Sequence, residues 1–321
     1  MISDKTRLKN NIHNCIDYIT FPMGMGDVIS YGWRFTLVNI NEFILYVLPA
    51  AMVLAFFVRL TFLSMKDVFI FNSDNMAYWV LNFFILWPFY TFMSCFAFAF
   101  FGICFIKAIY STLEGNFKGY KQIYSETLKD IWMIAKTAFL LVGMVFKYIV
   151  GYLILMLILM FILSGILHMI NFVFAILINL SLTAFVIYKI ITSLIRLPFN
   201  LVFITIKDTT VMKSDLYTYV FFRRNYYNMT NFSIVLSLLV IGILTIFNQL
   251  PDIVFVALSM LEIREINEII KILITYFFNI MGFFIIFILL IAPSSLFVYN
   301  HKAQKEGKDL LYHINSMKTA H

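Results

Sequence analysis

YIVGYLILMLILMFILSGIL, residues 148–167, is twenty residues without a charge. As a helix rising ~1.5 Å per residue it covers about 30 Å, the thickness of a bilayer's hydrocarbon core. The stretch therefore predicts a transmembrane helix. The rest of the chain repeats the theme. It has 321 residues, of which 62% are hydrophobic, 18% aromatic and 13% charged, and its mean hydropathy is +0.90. A soluble domain carries about 25% charged residues. Half that supply cannot cover a globule of this size, so lipid is the solvent. No polar stretch is long enough to fold alone. Residues 1–321 are expected to form a single transmembrane domain, with polar cytoplasmic tails at 1–26 and 301–321.

Working outward, the central stretch pairs with an apolar run at 172–194 across a short turn at 168–171. Residues 148–188 then form a hairpin without a formal charge apart from His168, expected at the core of the bundle. The helix through 148–167 extends back toward Ile131. From Lys136 to His168 it would run ~48 Å, more than a bilayer needs. Further spans are expected at 43–65, 76–106, 232–250 and 272–299. Pro88 should kink the second span and Pro251 should end the fifth, because proline donates no backbone hydrogen bond. Residues 198–214 are apolar but too short to span, so they lie in the interface or re-enter. The class is all-α: six transmembrane helices in three hairpins.

Three segments rich in aromatic and polar residues each stand just before a span: 27–43, 120–139 and 215–232. Tyr31 and Trp33 in the first suit the membrane–water boundary. They predict interfacial helices and a weak threefold repeat. The basic residues set the orientation. The net charge is +7. With the N-terminus inside, nineteen of the 24 lysines and arginines fall on the cytoplasmic side and four outside, Lys147 being unassigned. That distribution predicts both termini in the cytoplasm of a cell (inner) membrane protein. It also explains the positive charge without nucleic acid, for which there is no basic groove. Residues 10–20 are too polar for the core of a cleavable signal.

The chemistry is mostly defined by what is missing. No Asp or Glu falls within a predicted span, against the pattern of ion-coupled pumps. No nucleophile elbow, P-loop or HExxH is present. Catalytic residues, cofactors and metal ligands are therefore expected to be none. Cys15, Cys95 and Cys104 offer neither a CxxC site nor a disulfide framework, since Cys95 and Cys104 point to opposite faces of one helix. Gly143, Lys147 and Gly151 share a helix face at four-residue spacing and could form a groove for a lipid phosphate or a partner's acidic group. The plainer reading is close helix packing with Lys147 snorkelling to the boundary. Arg59 has the same snorkelling reading. Tyr219, Arg223 and Arg224 lie in an aromatic and basic segment at 217–227. With residues 111–136, that segment is the expected docking surface of the inner side.

Ser30, Tyr31, Trp33, Arg34, Phe35 and Asn39 carry a resemblance. They resemble the opening segment of a group of bacterial six-span inner-membrane proteins. The group includes the membrane domain found beside some glycerophosphodiester phosphodiesterases. Tyr219, Phe221 and Asn228 echo the segment before the fifth span. The resemblance implies a six-span bundle covering nearly the whole chain, and it supplies no catalytic residues. The glycine-rich central turn of some members is not evident in this chain. With 37 Phe and 18 Tyr, a packing protein fits better than a water-filled pore. The expected function is a non-enzymatic structural or docking subunit of a membrane assembly, with the lipid bilayer and other membrane subunits as partners. The alternative is a channel or transporter subunit, including the polytopic inner-membrane component of a secretion system.

Overall fold

The computed structural model describes residues 25–69, 80–115, 118–167, 180, 181, 183, 185, 195–207, 211–224, 226–260 and 268–305. Its elements are helices, and no strand occurs among the described residues. In chain order they are α1 (Met25–Val38), α2 (Ile40–Phe69), a π-helical turn (Asn82–Leu86), α3 (Trp87–Leu113), α4 (Tyr120–Lys129), α5 (Ile131–Leu167), α6 (Arg196–Lys207), α7 (Val211–Arg224), α8 (Tyr226–Met260) and α9 (Glu268–Lys305). Residues 148–167 form the second half of α5, an unbroken helix of 37 residues. Among the described residues, four segments are long and apolar enough to cross a membrane: Ile40–Thr61, Phe84–Leu113, Met229–Leu258 and Ile269–Lys302. Most of the expected span at 172–194, the turn with His168, residues 1–24 and residues 306–321 lie outside the described residues.

The threefold pattern has a structural counterpart. Each of α1, α4 and α7 is a short helix that directly precedes a long one, α2, α5 and α8. The first two pairs are parted at Asn39 and Asp130; α7 ends at Arg224 and α8 begins at Tyr226, with residue 225 outside the described residues. At Asn39 the side chain donates to the Phe35 carbonyl at 2.8 Å, while the Phe43 amide donates to the Asn39 carbonyl at 3.1 Å. At Asp130 the amide closes a tight turn onto Thr127 at 3.1 Å and the carbonyl starts α5. Counted from the residue between each pair of helices, burial recurs in one register. Four residues on lie Phe43, Ile134 and Met229; seven on, Tyr46, Thr137 and Phe232; eleven on, Ala50, Leu141 and Leu236, all buried. Three residues back, Thr36, Thr127 and Phe222 are also buried. This register aligns Tyr226, the first residue of α8, with Ile40, the first of α2. It differs by two residues from an alignment on the acidic starts Asp27 and Asp215, so that Tyr217, Tyr219 and Phe221 correspond to Tyr31, Trp33 and Phe35.

Among the described residues the centre of the bundle is the last helix. α9 packs on α8, α2, α1, α6 and α3. In its most apolar window 67% of residues are buried, against 22% for α8. The hairpin expected at the core is described only in its first arm, α5. There Gly143, Lys147, Gly151, Ile154 and Ile158 are exposed. High apolarity marks a helix that lipid accepts; it does not say which helix the others surround.

Aromatic rings fill the interior. Phe43 meets Phe105 at 5.3 Å between centroids, and Phe105 meets Phe287 at 6.0 Å. A second cluster surrounds Phe199 of α6, whose ring lies 5.2 Å from Phe222, 5.7 Å from Phe232, 6.0 Å from Phe221 and 6.3 Å from Phe297. Residues 199–204 are buried without interruption, so α6 is enclosed on every side. The apolar run at 198–214 therefore splits. Its first part is the buried helix α6, and its last part opens α7.

Further differences concern the prolines and one helix end. Pro88 sits in the first turn of α3, and the irregularity it causes is the π-helical turn just before it. Pro251 does not end the fifth span, because α8 continues through it to Met260. In lipid an unpaired amide costs several kcal/mol. A helix that loses one bond to proline is better continued than unwound. Pro293 also lies inside a helix, and α9 continues past His301 to Lys305, beyond the expected boundary of the C-terminal tail.

Contacts place the helix junctions at one end of the bundle. Tyr110 of α3 donates to the Ser295 carbonyl at 3.3 Å, and its ring is 5.5 Å from Tyr299. Lys107 reaches Asp130 at 4.0 Å and donates to Thr127 at 3.4 Å. The ring of Phe221 is 5.1 Å from that of His301. This end, called the joint end below, carries α1, α4 and α7.

Candidate functional site

Two places merit attention, one at each end of the bundle. At the joint end α7 is two-faced. Ser214, Thr218, Phe221 and Phe222 are buried. The opposite face exposes Met212, Leu216, Tyr219, Val220 and Arg223. These recur at intervals of three and four, forming one stripe along the helix. Behind the stripe, Arg196 of α6 lies 5.4 Å from the Phe222 ring centroid and 6.0 Å from that of Tyr219, a cation–π arrangement. The side chain of Arg224 lies outside the described residues.

Nearby, α4 is pinned at both edges. Tyr124 donates to the Leu45 carbonyl at 2.8 Å and stacks on Tyr46 at 5.5 Å. Burial raises its hydroxyl pKa above the usual tyrosine value. Lys118 donates to Glu126 at 2.9 Å and Gln122 does so at 3.0 Å. The bond from Lys118, helped by that from Gln122, holds the Glu126 carboxyl below its ordinary pKa against the opposing effect of burial. Leu128 and Trp132 stay exposed beside them.

Gly143, Lys147 and Gly151 share an exposed face, as their spacing requires. A Cβ added at either glycine would meet nothing within 4 Å. Among the described residues, then, no helix packs closely against this face. The structure does not bring the three together with Tyr219 and Arg223.

At the opposite end the interior is hollow. A cavity of about 440 Å³ lies between α2, α3, α8 and α9. Its walls are apolar, with Leu54, Phe98, Leu236, Phe287 and Leu290 among them. Two hydroxyls line it, but both turn back to their own helices: Ser94 donates to the Tyr90 carbonyl at 2.9 Å, and Ser237 to the Ser233 carbonyl. Val58, Leu244 and Phe283 also wall an adjoining hollow of about 720 Å³. The second hollow has a mixed wall: Arg59, Asn248, Gln249, Asp252, Thr275 and Asn279 line it beside apolar residues such as Leu63 and Phe247, and these polar groups make it the polar mouth of the pair. Gly282 lets α8 and α9 close beside it, since a Cβ there would stand 3.0 Å from Phe247.

The polar mouth was only partly legible in the sequence. Thr275 and Asn279, and Asn248 and Asp252, each stand four apart, so each pair shares a helix face. That spacing was an available signal. Their meeting with Arg59 is tertiary.

Elsewhere, Asn200 Oδ1, Arg196 Nε, Thr218 Oγ1 and Ser233 Oγ are buried without a hydrogen-bond partner among the described residues. They form the most polar part of the interior at the joint end. The apolar cavity separates them from the mouth: Leu197 and Pro198 of α6 line it, as do Leu244 and Phe283 beside the mouth. Cys95 and Cys104 are free. No group of three or more His, Cys, Asp or Glu among the described residues is placed to hold a metal ion.

The helices define an integral membrane protein, all-helical in its described parts. No family model, curated protein or solved structure matches the chain.

Proposed function

We propose that the protein is a non-enzymatic structural and docking subunit of a membrane assembly. It would sit in an inner membrane with six spans in three hairpins and both termini in the cytoplasm. The six-span bacterial group resembled by Ser30–Asn39 is the family we propose for it. The observation that carries the reading is the stripe of Met212, Leu216, Tyr219, Val220 and Arg223 on α7. It presents apolar area and a cation together, on a helix whose other face is fixed by the Phe199 cluster. Aromatic and arginine side chains on a rigid support are the usual anchors of protein interfaces.

The second reading is a channel or transporter subunit, including the inner-membrane component of a secretion system. The polar mouth around Arg59 favours it. The apolar cavity beneath that mouth weighs against it, because a conducted polar solute needs polar walls along its route.

Arg223→Glu combined with Arg224→Glu tests the docking reading. The double variant is expected to insert normally and to lose at least about tenfold of its partner's affinity, measured by co-purification from mild detergent. Unchanged co-purification overturns the reading.

A further inference from the structure

We propose that the two adjoining hollows form one seat for a membrane phospholipid, with its phosphate at Arg59 and an acyl chain in the apolar cavity. The mouth of the seat is built by the ends of α2, α8 and α9 opposite the joints, and the cavity beneath it also takes in α3 and Leu197 and Pro198 of α6; no residue of the docking stripe lines either hollow. Its shape follows from the helices that wall it. Along α8 the lining runs from Leu236 to Asp252, and along the antiparallel α9 from Thr275 to Leu290. Sixteen residues of helix rise about 24 Å. A slot of that length takes a head group and most of an extended acyl chain.

Polarity changes once along the slot. The deep part is closed to hydrogen bonding because Ser94 and Ser237 are turned onto their own helices. The mouth offers Arg59, Asn248, Gln249 and Asn279 as donors. Water gains little in the deep part, which has no polar partners for it. A soluble anion gains nothing from it either. An amphiphile satisfies both halves at once.

Charge complementarity selects the head. Arg59 is half-buried and holds no ion pair among the described residues. A guanidinium binds phosphate through paired N–H donors, and does so more strongly away from water. Asp252 lines the same mouth without pairing to Arg59. The two opposite charges therefore stand apart, as a phosphate and an amine on one head group would need. Phosphatidylethanolamine has that pattern.

The test uses the full chain in phosphatidylcholine nanodiscs doped with a phosphatidylethanolamine that carries a photoreactive diazirine in one acyl chain. Cross-links are mapped by peptide mass. The expected result is labelling concentrated on the α8 and α9 segments that contain Leu236, Ser237 and Phe287. Arg59→Gln should lower that labelling roughly tenfold, as loss of one charge-assisted contact implies. Arg59→Lys should keep most of it, which separates a lost head-group contact from a misfolded chain. A diazirine fatty alcohol, lacking phosphate, should label the same segments weakly and equally in wild type and Arg59→Gln. Millimolar glycerophosphoethanolamine, a head group without chains, should not compete. Labelling spread evenly over the lipid-facing surface overturns the proposal. So does labelling indifferent to Arg59→Gln, or efficient competition by the chainless head group.

Discussion

Phe199→Ala is expected to lower the stability of the detergent-solubilised protein by about 2–3 kcal/mol. Truncating a buried phenylalanine in a soluble core costs about 3–5 kcal/mol, part of it from returning apolar surface to water. Against lipid that part shrinks, because lipid tails are as apolar as the core. The lost contacts remain. Phe199 is fully buried and its ring touches Phe221, Phe222, Phe232 and Phe297, so one deletion loosens α6 from α7, α8 and α9 together. Heat denaturation followed by tryptophan fluorescence measures the change. Phe139→Ala is the control, because Phe139 is 70% exposed and should shift the midpoint hardly at all. Equal effects of the two variants would remove Phe199 from the centre of the packing.

The second large effect is expected at Gly32. A Cβ there would stand 2.9 Å from both the Cγ and the backbone N of Pro293, and 3.1 Å from its Cα. A proline ring and main chain cannot rotate aside, unlike the tip of a flexible side chain. Gly32→Leu must therefore push α1 off α9, at a cost of about 3 kcal/mol or more. Gly143→Leu places the same side chain where none of the described residues stands within 4 Å, and should cost little. Melting both variants beside wild type makes the comparison. A Gly32→Leu protein as stable as Gly143→Leu would show that α1 does not lie against Pro293.

Gly32 also shows what the sequence could and could not disclose. It occupies the variable place between Tyr31 and Trp33, where the resemblance gave it no role. Its importance comes from Pro293, more than 250 residues away. The three short helices before long ones were legible, because aromatic and polar residues cluster before each span. Their common register was harder to see. The acidic residues Asp27 and Asp215 suggest one alignment, while burial along α2 and α8, where Phe43 matches Met229 and Tyr46 matches Phe232, requires another. Pro251 misled for a physical reason: it terminates helices in water, where a freed carbonyl finds a solvent partner, and not in lipid. Arg59 reads as a snorkelling residue on its own helix. Only the packing of α2 beside α8 and α9 puts it in a chamber with Asn248, Asp252 and Asn279.

Cysteine accessibility across a sealed membrane tests most directly whether α1, α4 and α7 lie on one side and the polar mouth on the other. Cys15, Cys95 and Cys104 are first replaced by alanine. Single cysteines are then placed by Ser30→Cys, Tyr120→Cys, Tyr219→Cys and Asp252→Cys, all at exposed positions. A membrane-impermeant maleimide is applied to oriented vesicles. The first three are expected to label from one side, and Asp252→Cys only from the opposite side. Labelling of Asp252→Cys from the same side as Tyr219→Cys would contradict the transmembrane arrangement, and with it both the docking face and the lipid seat.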